Sequence, residues 1–153
     1  MNRTSFLILL LGLAGACCLA RAQDVVVVAN RHVQISQISS GDLRDIFTGV
    51  RSRFPDGSPA VPVTLKGGPA HEVFLKNHVG KGPEEFRTLW RKAVFTGQGA
   101  MPRAFDSEAA LLEYVAATPG ALGYVSKLSP QDSVKALSVF KTDQTAKASR
   151  DGH

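Results

Sequence analysis

The chain has 153 residues, of which 44% are hydrophobic and 20% charged, and it carries a formal net charge of +5 at pH 7. The length suits one stable core and not two. The 18 basic residues form no dense stripe, which argues against a nucleic-acid-binding surface.

The amino end reads as a leader. Arg3 supplies a positive n-region, Phe6 to Leu19 an apolar h-region, and Ala20-Arg21-Ala22 small residues where a signal peptidase would cut. The apolar run, about 14 residues, falls short of the ~20 needed to cross a bilayer. Cleavage after Ala22 is therefore expected, with lipidation at Cys17 as an alternative. Cys17 and Cys18 both leave with the leader, so no disulfide, thiol chemistry or cysteine metal site is expected in the mature chain. Arg3 and Arg21 leave too, so 16 basic residues face 13 acidic ones, a net +3. The expected organisation is a signal peptide over 1–22, an α/β domain over 23–141 and a disordered tail over 142–153. The mature form is expected to be exported to the periplasm and not to span a membrane.

The first mature element is Val25 to Ala29, a continuous β-branched run that fits a strand covered on both faces. Ser39 or Ser40 is placed to cap a helix through Leu43, Ile46 and Phe47, which Thr48-Gly49 ends; Ser36 reads as a turn residue. Phe54-Pro55-Asp56-Gly57 reads as a turn. A second strand is expected within Val61 to Leu65, beginning after Pro62. Lys66-Gly67-Gly68-Pro69 follows as a loop, and a helix from Pro69 or Ala70 to Gly80 carries Val73, Phe74 and Val79.

The next helix opens at Pro83 and places Phe86, Leu89, Trp90, Ala93 and Val94 on one face expected to be buried. Asp106 or Ser107 caps a further helix, which stops at Thr118-Pro119-Gly120. Gly123 to Ser126 and Val134 to Phe140 are strand candidates. Alternating strands and helices predict one α/β domain with a mixed, mostly parallel sheet flanked by helices.

Several of these segments carry a family resemblance. Asp45-Ile46-Phe47-Thr48-Gly49, the Phe54 to Gly57 turn, Phe74 within Glu72 to Leu75, Trp90, Phe95 to Gly99, Pro102 and Thr118 to Ser126 occur in an order and spacing that matter more than any one piece. From about Val25 to Ser126 the chain resembles the phosphate-binding-protein-like family of bacterial periplasmic solute-binding domains, relatives of the substrate-binding subunit of phosphate ABC transporters. The resemblance implies a type II periplasmic-binding-protein fold. Full-length members clamp solute between two hinged lobes, whereas this chain is about half that size and looks like a single lobe.

In those relatives a strand-to-helix loop with an Arg and a G-S-G-T-like run holds phosphate. The corresponding stretch here is Thr64 to His71, so the candidate ligand-binding residues are Thr64, Lys66, Gly67, Gly68, Ala70 and His71. Glycines allow close backbone approach, and free amides at a helix start favour an anion. Pro69 removes one amide, and no Ser or Thr lies between Gly67 and His71, so a plain strand-to-helix turn is the competing reading. Arg91, Lys92, Arg103 and Lys127 are candidate rim charges, with solvated surface as their ordinary role. His71 and His78 lie seven apart, not at the i, i+4 spacing of a helical metal pair, so no metal or cofactor is expected. No nucleophile sits beside a base, so no enzyme activity is expected. The implied partners are a small oxyanion, phosphate first, and an ABC permease or another periplasmic protein. A ligand-free interaction module that keeps the fold is the alternative.

Overall fold

A computed structural model of the chain describes residues 24–142. The expected leader, its cleavage site and both cysteines lie outside the described residues, as does the expected tail from residue 143 onward.

Six strands form one sheet. They are β1 (Val26–Asn30), β2 (Gln37–Ser39), β3 (Val61–Leu65), β4 (Arg103–Phe105), β5 (Ala121–Val125) and β6 (Val134–Phe140). Their spatial order is β2-β6-β1-β5-β3-β4. β1 runs antiparallel to both β5 and β6, while β2 with β6, β3 with β5 and β3 with β4 are parallel. The sheet is thus mixed and mostly parallel. β1 lies inside it, and Val27 to Asn30 are buried, as expected of a valine-rich apolar run; the polar Asn30 is satisfied by donating to the Val115 and Ala116 carbonyls.

Among the described residues, four α-helices flank the sheet: α1 (Ser40–Phe47), α2 (Pro69–Phe74), α3 (Pro83–Phe95) and α4 (Glu108–Ala117). Neighbouring residues in a strand face opposite ways, and β5 displays the result. A Cβ on Gly123 would meet Leu111 of α4 and Val63 of β3. On the other face the Tyr124 ring stacks on Phe74 of α2 at 3.9 Å and lies 6.1 Å from Phe47 of α1. Phe47 meets Phe74 edge-on at 4.7 Å, closing a fully buried aromatic cluster. α3 rests against this layer, with Trp90 Nε1 donating to the Phe47 carbonyl at 3.0 Å.

Local chemistry sets the ends of these helices. The Ser39 hydroxyl accepts from the Asp42 amide at 3.0 Å, and that of Ser107 accepts from the Ala110 amide at 3.1 Å. Each satisfies one of the amides a first helical turn leaves orphaned. The Phe54 to Gly57 turn closes with the Gly57 amide on the Phe54 carbonyl at 2.9 Å.

Four expectations need correction. β2 and β4 were not foreseen, since each has only three residues and forms a sheet edge. β3 begins at Val61, before Pro62, because the Val61 amide donates to the Gly120 carbonyl. The helix from Pro69 is α only to Phe74, and Leu75–Val79 widens to a π turn that the Gly80 amide closes on the Leu75 carbonyl. Val94 is 49% exposed: Phe86 and Trp90 are buried and Leu89 and Ala93 partly so, but the last turn of α3 leaves its neighbours behind.

Candidate functional site

β3 leaves the sheet at Leu65. The Lys66 amide makes the final rung, donating to the Phe105 carbonyl at 2.9 Å. Gly67 and Gly68 then turn the chain in solvent. Gly68 has φ 95 and ψ 172, a conformation open in practice only to glycine. Pro69 starts α2, and the Glu72 amide closes the first helical bond on the Gly68 carbonyl at 3.1 Å. Among the described residues, the amides of Gly67, Gly68, Ala70 and His71 have no protein partner. Gly67 and Gly68 are exposed, whereas Ala70 and His71 are buried.

The side chains of the predicted site point in different directions. Lys66 Nζ reaches Asp106 at 2.8 Å in an exposed pair, so its ammonium lies beside a carboxylate. The Thr64 hydroxyl turns inward, 2.7 Å from the Tyr124 hydroxyl. His71 Nδ1 lies 2.5 Å from the same oxygen, which also accepts from the Leu65 amide at 3.1 Å. Tyr124 therefore ties β5, β3 and α2 together through one atom. Burial pushes its phenol up to about 12, against the pull of the bonds from Thr64 and Leu65. Burial likewise lowers His71, with Arg87 adding to the effect and Glu72 opposing it, so the imidazole is neutral at pH 7.

Beneath the junction lies a cavity of about 230 Å³. Thr64, Leu65, Lys66 and His71 line one side, Phe86, Arg87 and Trp90 of α3 another, and Met101, Pro102 and Ala104 close it. Its two charged lining residues, Lys66 and Arg87, are basic, and each makes an exposed pair with a carboxylate outside the lining, Asp106 at 2.8 Å and Glu84 at 3.2 Å. A wider groove of about 540 Å³ between α4 and the Gln131 to Ser133 turn contrasts with it, being lined by Glu113 and Asp132 and by no basic residue.

Of the predicted residues, Thr64, Lys66 and His71 meet at the cavity, while Gly67 and Gly68 form the turn above it and Ala70 is buried in the first turn of α2. None of Arg91, Lys92, Arg103 or Lys127 lines it. Arg103 instead lies over the Phe105 and Tyr114 rings, at 5.6 and 5.1 Å. Arg87 and Tyr124 went unrecognised. The pattern held a signal for Arg87, which follows Phe86 directly and precedes Trp90 by three positions, at the border of the buried stripe of α3.

No family model matches the chain. Solved structures do share its fold. A phosphate ABC transporter substrate-binding protein from Clostridium perfringens, determined with bound phosphate, aligns with a TM-score of 0.60 at 20% identity over 76% of this chain and 44% of its own. PstS from Borrelia burgdorferi gives 0.56 at 15% identity, over 76% and 47%. An ABC-type phosphate transport receptor from Vibrio cholerae gives 0.54 at 16%, over 76% and 46%. The described residues thus form an α/β lobe of the phosphate-binding-protein-like fold, spanning less than half the length of the solved proteins that share it.

Proposed function

We propose that this chain is an exported solute-binding domain that holds a small oxyanion, phosphate first, by non-covalent contacts where β3 runs into α2. The observation that carries this reading is the pairing of open main-chain amides at Gly67 and Gly68 with a cavity whose charged lining is basic. Backbone donors and a nearby ammonium are what an oxyanion needs to replace its water. The Lys66–Asp106 pair is exposed and therefore weak, so an anion can draw Lys66 across. The Clostridium perfringens neighbour is a phosphate ABC transporter substrate-binding protein and the Vibrio cholerae neighbour an ABC-type phosphate transport receptor, which supports binding over catalysis and a link to an ABC permease.

Calorimetry on residues 23–153 with phosphate, sulfate and arsenate tests this. Binding is expected, weakened several-fold by Lys66→Ala and tightened by Asp106→Asn, which frees the ammonium. Absence of heat at millimolar phosphate would overturn it.

A second reading, a ligand-free periplasmic interaction module, draws support from the inward commitment of Thr64 and from exposed apolar side chains. Phe95 is 92% exposed, Met101 53% and Val94 49%. Capture of one protein from periplasm, lost in Phe95→Ser, would favour it.

A further inference from the structure

His71 is only 5% exposed, yet just one edge of its ring is occupied. Nδ1 faces the Tyr124 hydroxyl at 2.5 Å, a separation that suits an O–H donor better than an N–H donor. The remaining contacts agree with that assignment. With Tyr124 donating to Nδ1, its oxygen accepts from the Leu65 amide and from the Thr64 hydroxyl, and every group in the cluster is satisfied. The imidazole proton then sits on Nε2. That atom has no partner among the described residues, and its ring lines the cavity. Solvent reaches that edge of the ring through the cavity, and an incoming acceptor would take the place of water on the N–H.

The rest of the cavity asks for more than an acceptor. Phe86 and Trp90 are buried apolar walls, and Met101 flanks them. A bare phosphate pushed against those walls would lose water and gain nothing in return. An anion with a hydrocarbon body would place that body there and keep its charge toward Arg87, which is exposed at the rim and held only by an exposed, weak pair with Glu84 at 3.2 Å. At about 30 Å³ for each water-sized unit, the cavity of about 230 Å³ holds roughly seven or eight non-hydrogen atoms.

We propose that this cavity binds a small aliphatic carboxylate, its oxygens toward His71 Nε2–H and Arg87 and its chain between Phe86, Trp90 and Met101. The proposal rests on the anion reading of the same junction and narrows it from a bare oxyanion to an organic acid.

The test is calorimetry on residues 23–153 with hexanoate, acetate, hexanamide and phosphate. Hexanoate is expected to bind at least about ten-fold more tightly than acetate, which lacks the chain, and than hexanamide, which lacks the charge. His71→Phe keeps the ring volume and removes the N–H, while Arg87→Met removes an exposed charge. Each is expected to weaken hexanoate about ten-fold, and Arg87→Met serves if His71→Phe fails to fold. Phosphate binding with hexanoate no better than acetate would overturn this inference and leave the oxyanion reading standing. Hexanoate binding with phosphate silent would support it and overturn phosphate as the solute. No binding by any anion would overturn both. Hexanamide as tight as hexanoate, or hexanoate indifferent to both substitutions, would overturn the assigned site.

Discussion

Two of the junctions that combine glycine with proline in this lobe do opposite things. At Gly67-Gly68-Pro69 the chain passes from β3 to α2 in open solvent, and a Cβ on either glycine would meet nothing within 4 Å. At Thr118-Pro119-Gly120 it passes from α4 to β5, and a Cβ on Gly120 would lie 2.5 Å from the Pro59 carbonyl oxygen. Gly120 is fastened from outside as well, because its carbonyl accepts from the Val61 amide at 2.9 Å. The first junction therefore leaves its backbone donors without a protein partner among the described residues, while the second spends its polar groups on the sheet. Similar residues give an open turn in one place and a structural weld in the other, and the neighbours make the difference.

The largest expected effect separates the two directly. Gly120→Ala combines a positive φ of 78 with a carbonyl clash, for a loss of about 3 kcal/mol in stability. Gly67→Ala, with open space around it and an ordinary φ, is expected to stay within about 0.5 kcal/mol of the parent. Urea denaturation of both variants measures the contrast, and equal losses would erase it.

Tyr124→Phe comes next. It keeps the stack on Phe74 but leaves the Leu65 amide and the Thr64 hydroxyl without their shared partner. The expected loss is about 2 kcal/mol, again read from denaturation midpoints. A neutral outcome would mean that the open junction does not depend on this hydroxyl for its floor.

The smallest effect is on pH dependence. Burial holds the folded pKa of His71 below the ordinary 6.5. Between those two values the unfolded chain binds the extra proton, so the contribution is full above about pH 6.5 and declines as pH falls toward the folded value. His71→Gln is expected to flatten that part of the stability profile below about pH 6.5. An unchanged slope would show that His71 does not carry it.

Much of the fold was legible because the signals are local. Ser39 and Ser107 cap helices through amides three residues away, and Gly49 and Gly80 end helices by their own backbone freedom. The candidate loop was legible for the same reason: a strand, two glycines and a proline announce a junction. Val94 misled because helical spacing records direction and not what lies opposite. β2 and β4 misled because three residues at a sheet edge carry no pattern of their own and exist through pairing with β6 and β3.

By itself, the order of residues determined that strands and helices alternate, where most helices start, and that a strand-to-helix turn falls between Thr64 and His71. Only the tertiary structure decided that Lys66 leans on Asp106, that Thr64 faces inward, and that Tyr124, 53 residues beyond His71, fixes the imidazole from behind. The physical reason is range. Caps and turns are settled by neighbours along the chain, whereas the direction of a buried polar group is settled by whichever distant partner the packed sheet brings within hydrogen-bonding reach.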